Sequence, residues 1–394
     1  MAPKNALVFG ASGITGWAIV NQILNGFPTP DTFESVTALT NRPLTAEAAL
    51  WPQSSKLQIV SGINLQNPAG QAALEAEIKE KVKNVDKITH VYFFAYIMNE
   101  DPKKECSINE DLIKAAVTAI EHLSSKLEFV VLPTGTKRYG VHLLEENFPF
   151  HKDTPLKESL GRIPEPYASE MFYYTQMDML KQMSVGKSWT WCEIIPDMIV
   201  GFVPNNNIYC LGQVLSTFLS FYADKHGKGA EVPFPGTEKS WKNLTTDSSQ
   251  DICAQVSIMA SLQPEKSAEQ GYNAGDTARP VTWEQKWPVI CEYFGLKGTP
   301  PPPGGSGPEP RAYLAEHFDE WKEFEKKHGL QSGRVGNDRS FGGFAYFIMT
   351  MLNFDRHMDM TKTNEMMGKY AHDVDTKGSW WTAFDRFKKA KIIA

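Results

Sequence analysis

Residues 6–16 read ALVFGASGITG, and this stretch decides the fold. Its apolar start predicts a buried strand, and the glycine spacing that follows is typical of a turn leading into a helix. Gly10 permits a tight turn, Gly13 lets a pyrophosphate approach the backbone, and Gly16 lets the helix pack on the sheet. The free N–H groups at the helix start attract an anion. The stretch therefore predicts a dinucleotide site comprising Gly10, Ser12, Gly13, Ile14 and Gly16.

The first half of the chain alternates β-rich runs with helical patterns, which indicates a parallel sheet with right-handed crossovers. The predicted strands are Ala6–Gly10, Val36–Thr40, Leu57–Ser61, His90–Ala95, Phe129–Pro133 and Trp189–Pro196. The predicted helices between them are Gly13–Gly26, Gln71–Lys83, Ile108–Leu123 and Tyr167–Met183. After Pro204 helical patterns dominate: Gln213–Tyr222, Asp247–Leu262, Trp283–Phe294 and Tyr313–His328.

We therefore predict an α/β fold with a doubly wound Rossmann sheet. The predicted domains are a Rossmann domain over residues 1–203 and a mainly helical substrate-binding lobe over residues 204–394, interleaved with that sheet. The Pro- and Gly-rich segment Thr299–Pro310 predicts an exposed connector between helices. Four aromatic side chains near the C-terminus have roughly helical spacing and predict core packing: Trp380, Trp381, Phe384 and Phe387.

Composition narrows the class of protein. The 394 residues carry a net charge of −6, which argues against a nucleic-acid partner. The apolar strand follows Asn5 directly, which leaves no room for a signal peptide, and no apolar run is long enough to span a membrane. Five cysteines are scattered without a paired spacing, and nine histidines are equally dispersed. We expect a cytoplasmic protein with reduced thiols, no metal site and no membrane association.

The end of the second predicted strand indicates which dinucleotide binds. Folds selective for NAD carry an acidic residue there, but this sequence reads Thr40-Asn41-Arg42-Pro43. Arg42 offers a planar donor fork for a 2′-phosphate, and Thr40 and Asn41 offer further hydrogen bonds. These residues favour NADP(H) over NAD(H). The alternative interpretation of Arg42 is a solvated surface arginine.

The usual tyrosine–lysine pair of short-chain dehydrogenases is missing from its expected helix. The single YxxxK spacing, Tyr293 to Lys297, lies far beyond the last predicted strand of the first half and is interpreted as chance. The helix in the expected place contains Tyr173 and Tyr174 but no lysine at the required spacing. Lys137 instead follows the strand Phe129–Pro133, at the sheet edge where doubly wound folds bind ligands.

These motifs resemble the progesterone 5β-reductase/iridoid synthase-like (PRISE) family, an atypical branch of the short-chain dehydrogenases. The resemblance runs nearly end to end. It is carried by GASGITG (10–16), THVYFF (89–94), TGTKRYG (134–140), FYYTQMD (172–178), IPDMIVGF (195–202), SWKNLTTD (240–247) and FDRFKKAKIIA (384–394). The family has lost YxxxK and uses a lysine after a Rossmann strand together with a tyrosine of an FYY-type helix.

The resemblance implies that Lys137 and Tyr173 are the catalytic pair and also border the cofactor. It implies 1,4-reduction of an enone or enal by NADPH, with phenol and ammonium groups stabilising the enolate oxygen. Packing is the favoured role for Tyr174. Further cofactor-binding positions implied by family and fold are Asn64, Leu65, Ala95, Tyr96, Thr134, Pro196, Met198 and Ile199.

Two departures from the family pattern leave substrate and reaction direction open. Asn64-Leu65 stands where such folds often have an aspartate for the adenine amine, although an amide can serve there too. Ile195-Pro196 stands in place of Arg-Pro, and Asp197 follows in place of a small residue. A carboxylate at that position can alter the substrate pocket.

Three classes of function remain: an ene-reductase; a carbonyl reductase or non-redox cyclase or isomerase on the same site; and an NADP-sensing binding protein. A sensor is expected to lack the lysine and tyrosine. The resemblance implies a small apolar substrate of terpenoid, steroid-like or polyketide type, and a homodimer. Segments rich in Met and aromatic residues fit a ligand pocket and an ordinary core equally well: Phe148, Phe150, Trp241, Phe341, Tyr346, Phe347, Met349 and Met351.

Overall fold

The computed structural model describes residues 2–394. The strands are β1 (Lys4–Phe9), β2 (Phe33–Thr40), β3 (Leu57–Ser61), β4 (His90–Phe93), β5 (Phe129–Pro133), β6 (Thr190–Pro196), β7 (Ile199–Val200), β8 (Glu231–Pro233), β9 (Ser248–Ser249), β10 (Gln270–Ala274) and β11 (Lys297–Thr299). The helices of the first half are α1 (Ile14–Leu24), α2 (Gln71–Lys81), α3 (Pro102–Leu123), α4 (Leu144–Asn147) and α5 (Phe172–Ser184).

The second half is mainly helical. Its α-helices are α6 (Leu211–His226), α7 (Glu238–Lys242), α8 (Gln250–Ser261), α9 (Pro264–Ser267), α10 (Trp283–Glu292), α11 (Pro310–Glu316), α12 (Phe318–His328), α13 (Phe344–Tyr346), α14 (Thr361–Met367) and α15 (Thr376–Lys389). A short π-helix over Phe347–Met351 continues α13. The predicted helix Tyr313–His328 is divided at His317 into α11 and α12.

Seven parallel strands form one sheet in the order β10-β6-β5-β4-β1-β2-β3. Side chains of β1 alternate between its faces: Ala6 and Val8 pack in the core on the α1 side, and Leu7 and Phe9 pack in the core on the α3 side. Helices α1 and α8 pack together on the first face, and α2, α3 and α5 cover the second. This is the predicted doubly wound Rossmann sheet.

All six predicted strands are present, and β10 is a seventh that the sequence pattern did not predict. Its sequence, QGYNA, contains glycine and asparagine and lacks a run of β-branched residues. The strand pairs with β6, which supplies the apolar partner surface. The second half of the chain therefore completes the sheet.

Helix α3 begins at Pro102, six residues before the predicted start. The Asp101 side chain accepts hydrogen bonds from the backbone N–H groups of Lys103 and Lys104, and Pro102 occupies a first-turn position. The polar sequence of this first turn carries no hydrophobic periodicity, so only the cap marks the true start.

The C-terminal helix α15 packs into the core of the second half. Trp380, Phe384 and Phe387 are fully buried and Trp381 is partly buried, which confirms the core prediction. A buried ion pair lies beside them: the Lys286 ammonium is 2.7 Å from Asp247 Oδ1. The Trp380 indole N–H donates to the other oxygen of Asp247 at 2.9 Å. This network joins α10, α15 and the segment before β9.

Three further observations concern the Pro- and Gly-rich connector, the cysteines and the character of the helices. Thr299–Pro310 runs from the end of β11 to the start of α11 without regular structure, as predicted. The five cysteines are unpaired and buried. Across residues 2–394, none of the helices combines the length and apolar character needed to cross a bilayer.

We predict that Lys286→Met destabilises the protein, because Asp247 then keeps a buried charge without its cation. The expected loss is about 3–5 kcal/mol in the free energy of unfolding, measured by urea denaturation. A double variant, Lys286→Met with Asp247→Asn, should recover part of that loss. The control is Lys327→Met, whose side chain is 61% exposed beside Asp224 and whose loss should cost less than about 1 kcal/mol. If Lys286→Met and Lys327→Met lowered the free energy of unfolding equally, Lys286 would not be the cation that compensates a buried Asp247 charge.

Candidate cofactor and substrate site

A cavity of about 560 Å³ lies at the carboxyl ends of β1, β2, β4, β5 and β6. One part of its wall comes from the ends of these strands and the loops after them. The other part comes from the second half of the chain, through Asn207, Tyr209 and the residues around the π-helix. Parallel sheets place their ligand sites at this edge, where the loops diverge.

The glycine turn after β1 leaves no space for side chains. Gly10 has φ +74°, and a Cβ there would lie 2.4 Å from the carbonyl oxygen of Phe94. A Cβ on Gly16 would lie 2.4 Å from the carbonyl oxygen of Gly10. Gly13 occupies the N-cap of α1, so no side chain covers the helix N-terminus. This arrangement fits the pyrophosphate of a dinucleotide, which needs close approach to backbone N–H groups.

The turn after β2 is held by its own side chains. Thr40 Oγ1 donates to the carbonyl oxygen of Arg42 at 2.8 Å and lies 2.8 Å from Ser61 Oγ. The Thr40 hydroxyl is therefore engaged in shaping the turn. Arg42 is exposed and lies outside the cavity wall, with Nη2 donating to the carbonyl oxygen of Asn206 at 3.3 Å.

A second arginine supports the segment that contacts Arg42. The Arg334 guanidinium is buried and donates to the carbonyl oxygen of Pro204 at 2.7 Å and to Gln213 Oε1 at 2.5 Å. Burial lowers the pKa of Arg334 to about 10, and the charge of Arg42 contributes to the lowering. The two positively charged guanidinium groups therefore repel each other at the outer end of the predicted cofactor site.

Lys137 and Tyr173 both line the cavity. Lys137 lies in the short helical turn after β5, and Tyr173 lies in the first turn of α5. A Cβ on Gly135 would lie 3.3 Å from the Tyr173 hydroxyl and 3.4 Å from the carbonyl oxygen of Pro196. The hydroxyl thus packs against the loop that carries Lys137. Within residues 2–394 neither the Tyr173 hydroxyl nor the Lys137 ammonium has a hydrogen-bond or ion-pair partner.

The surroundings change the acidity of both groups. Burial lowers the pKa of Lys137, and the Glu105 carboxylate opposes that effect. Burial raises the pKa of Tyr173 well above its ordinary value, and Tyr209, Glu105 and Glu193 add to the increase. Tyr173 therefore keeps its proton at neutral pH and acts as an O–H donor.

A buried carboxylate anchors the loop that carries Lys137. Glu193, on β6, accepts a hydrogen bond from Thr134 Oγ1 at 2.7 Å and lies 3.1 Å from Arg138 Nε. Burial raises the pKa of Glu193, and Arg138 opposes the increase. The two contacts fix the loop on either side of Lys137. The signal for this anchor in the sequence is a lone acid within an apolar strand, which does not by itself indicate its partners.

Asp197 is neutralised by its neighbours. Its Oδ1 accepts a hydrogen bond from Thr136 Oγ1 at 2.8 Å, and its Oδ2 lies 3.3 Å from Arg356 Nε, with both side chains at most 5% exposed. Arg356 also donates to the carbonyl oxygen of Leu352 at 2.9 Å, on the cavity wall. Asp197 thus connects the loop after β6 to the loop that carries Lys137 and, through Arg356, to the part of the wall at Leu352.

The remaining wall is largely aromatic and aliphatic. The Tyr96 ring stacks on Phe172 with centroids 5.1 Å apart, and Tyr209 meets Phe344 edge-on at 5.4 Å. The Tyr96 hydroxyl donates to Glu105. Tyr174 does not line the cavity; its hydroxyl donates to the carbonyl oxygen of Arg138 at 2.6 Å, so it has the packing role that the sequence favoured.

Every residue predicted for the site lies on the cavity wall except Arg42. Of the Met- and aromatic-rich positions, Phe347 lines the cavity, whereas Phe148, Trp241, Phe341 and Met349 are buried core. Sequence reasoning missed further wall residues. Three of them lie within quoted motifs but were assigned no role: Gly135, Phe172 and Gln176. Others come from segments without a recognisable motif, and they include Val141, His142, Asn207, Tyr209, Phe344, Ile348 and Leu352.

The chain matches the family model of the PRISE-like Rossmann-fold domain over residues 6–394. It is 32% identical to the short chain dehydrogenase sirQ of Leptosphaeria maculans, over 98% of this chain and 97% of the relative. It is 27% identical to the 3-oxo-Delta(4,5)-steroid 5-beta-reductase of Arabidopsis thaliana, over 98% and 92%. It is 26% identical to the (S)-8-oxocitronellyl enol synthase of Nepeta racemosa, over 75% and 71%.

Among solved structures, the UDP-glucose 4-epimerase of Brucella ovis in complex with NAD superposes with a TM-score of 0.59. The identity is 15%, and the match covers 98% of both chains, so this likeness supports the fold. The family match and the relatives confirm the resemblance inferred from the motifs. The chain belongs to the PRISE-like family of short-chain dehydrogenases/reductases, and it is an oxidoreductase.

Proposed function

We propose that this protein is an NADPH-dependent reductase of conjugated C=C bonds in enones or enals. The observation that carries the proposal is the pair formed by Lys137 and Tyr173. Both groups border one cavity, and neither has a partner within the described residues. Two unused donors in a largely apolar cavity suit a substrate oxygen that gains negative charge during the reaction.

The residues of the cavity fit a nicotinamide dinucleotide. The glycine turn and the N-terminus of α1 would hold the pyrophosphate, and Arg42 would bind the 2′-phosphate. Pro196, Met198 and Ile199 would border the nicotinamide. When bound, NADPH supplies the hydride that is added to the β-carbon of the substrate.

The chain's own contribution is to bind and orient the conjugated carbonyl. Addition at the β-carbon moves negative charge onto that oxygen, and the Tyr173 hydroxyl and the Lys137 ammonium donate hydrogen bonds to it. The raised pKa of Tyr173 keeps its hydroxyl a donor. Removal of one donor in such a site typically costs about 10²–10³ in kcat. Protonation of the α-carbon from solvent completes the reaction without a protein acid.

The donors must be held before the reaction for this stabilisation to be effective. Glu193 anchors the loop around Lys137 through Thr134 and Arg138. Asp197 anchors the same loop through Thr136. Because the anchors are buried, loop movement would break contacts that water cannot easily replace.

An apolar wall supports an apolar substrate. Phe344, Phe347, Ile348 and Leu352 line the cavity, and neighbouring Tyr346 and Met351 are exposed at 49% and 39%. The names of two relatives, a steroid 5-beta-reductase and an 8-oxocitronellyl enol synthase, support a terpenoid or steroid-like enone or enal. A polyketide enone would suit the same wall.

We predict that Tyr173→Phe and Lys137→Met each lower kcat for enones by about 10²–10³, because each removes one donor to the developing enolate. NADPH oxidation is followed at the nicotinamide absorbance band with a panel of enals, cyclic enones and simple ketones. The control is Tyr174→Phe, which removes a buried hydroxyl outside the cavity.

The same panel distinguishes the other functions. Turnover of ketones alone would replace the proposal with carbonyl reduction. Bound NADPH with no turnover, but with product formed from a dialdehyde or other cyclisable substrate, would indicate a non-redox cyclase or isomerase. Cofactor binding with no product of any kind would indicate a sensor.

We predict an alkaline limit to activity that is set by Lys137. Only the ammonium form stabilises the enolate, so kcat/KM falls as pH rises through the Lys137 pKa. Burial lowers that pKa below the ordinary lysine value of 10.5, so the limit lies below pH 10.5. In Lys137→Arg the guanidinium stays charged, and the limit should move to higher pH. An unchanged pH profile in this variant would rule out Lys137 as the titrating group.

We predict that Arg42→Ala raises the Kd for NADPH about 10- to 100-fold and leaves the Kd for NADH unchanged, because charge-assisted hydrogen bonds to the 2′-phosphate are lost. Binding is measured by fluorescence or calorimetry. The control is Arg279→Ala, another exposed arginine outside the cavity wall. Equal changes for both cofactors would show that Arg42 is a solvated surface residue.

A further inference from the structure

We infer that His142 forms a polar subsite of the substrate cavity that binds an uncharged oxygen of the substrate, a hydroxyl or a second carbonyl. This oxygen is distinct from the conjugated carbonyl bound by Tyr173 and Lys137. The inference rests on the proposed function for the position of the conjugated carbonyl. The substrate is then an enone or enal that carries this additional oxygen substituent.

The first support is the position of His142. It lies in the short turn Val141–Leu143, which directly follows the loop of Lys137, and its side chain lines the cavity. His142 therefore belongs to the part of the cavity wall that comes from the loop of Lys137 and the turn after it.

The second support is that the imidazole has no partner. His142 Nδ1 is completely buried without a hydrogen bond, so Nε2 is the ring nitrogen that a molecule in the cavity can reach. Within residues 2–394 Nε2 has no hydrogen-bond partner. The hydrogen-bonding capacity of Nε2 is therefore left for a ligand.

Other polar side chains on this part of the wall are already engaged by the protein. Thr134 donates to Glu193, Thr136 donates to Asp197, and Gln176 donates to the carbonyl oxygen of Asn109. The Tyr96 hydroxyl donates to Glu105. The donors of these four side chains are thus used by the protein, whereas Tyr173, Lys137 and His142 have donors left for a substrate.

The charge state of the His142 imidazole determines which ligand groups it can bind. Burial lowers the pKa of His142 to about 4, and the nearby Lys137 ammonium lowers it as well. The ring is therefore neutral near pH 7 and carries one N–H donor and one acceptor nitrogen. A neutral ring suits a hydroxyl, which can both donate and accept, or a carbonyl, which accepts. It gives no ionic attraction to a carboxylate or phosphate.

The part of the wall around the π-helix limits where the additional oxygen can be. Phe344, Phe347, Ile348 and Leu352 offer no polar side-chain atom. A hydroxyl directed there would lose its water without gaining a partner. The substrate is therefore expected to have one oxygen-bearing side, toward the loop of Lys137 and His142, and one hydrocarbon side toward the π-helix.

The test compares cyclohexenone with hydroxycyclohexenones that carry the hydroxyl at each saturated ring carbon in turn. In the wild type we expect at least one hydroxylated enone to have a KM about tenfold or more below that of cyclohexenone. His142→Leu should abolish this preference by raising the KM of that enone, with kcat changed less than threefold. His142→Gln, which keeps a donor and an acceptor, should restore much of the preference.

A structural role for His142 would give a different result. His142→Leu would then change the KM of hydroxylated and unsubstituted enones by the same factor, and this outcome would overturn the inference. So would a wild type that shows no preference for any hydroxylated enone. Thermal unfolding and NADPH affinity of both variants, compared with wild type, identify any general loss of folding.

The design separates failure of the subsite from failure of the proposed function. If wild type reduces none of these enones, the proposed function fails, and binding of cyclohexanone and the hydroxycyclohexanones in the presence of NADPH is measured by calorimetry. A preference for a hydroxylated ketone that disappears in His142→Leu and returns in His142→Gln would still support the subsite. Equal affinities in all three proteins would overturn it.

Discussion

The site depends on the close backbone contact between the glycine turn after β1 and the end of β4. A Cβ on Gly10 would lie 2.4 Å from the Phe94 carbonyl oxygen, and a Cβ on Gly16 would lie equally close to the Gly10 carbonyl oxygen. Because no side chain fits, the turn packs directly on the strand and α1 packs directly on the turn. The N-terminus of α1 therefore faces the cavity, and the loops after β2, β4, β5 and β6 surround it.

Buried charges hold the parts of this cavity in place. Glu193 fixes the loop of Lys137, and Asp197 connects that loop to Arg356 and the wall formed by the second half of the chain. In the second half of the chain, the buried ion pair between Lys286 and Asp247 connects α10 to the segment before β9. A buried charge is costly without a partner, so each network tolerates few alternative arrangements. Tyr173, Lys137 and His142 differ from these groups because their hydrogen-bonding capacity is not used by the protein.

The family model covers residues 6–394, and this range includes both Lys137 and Tyr173. Asp197 lines the cavity, and its charge is compensated by Arg356 Nε at 3.3 Å. It therefore does not leave an unpaired carboxylate in the cavity. His142 and the apolar residues around the π-helix line the same cavity, and they are the positions at which we propose that substrates are selected.

The sequence by itself determined the Rossmann sheet, its first six strands and the residues of the cavity that belong to motifs. These features depend on local signals: apolar runs, glycine spacing, and the positions of Lys137 and Tyr173. It did not reveal β10, the early start of α3, the partners of Glu193 and Asp197, or the wall residues Tyr209 and His142. Such features depend on contacts between distant segments, as in the pairing of Asp197 with Arg356. Only the tertiary structure decides which polar groups are satisfied by those contacts and which are left to meet a ligand.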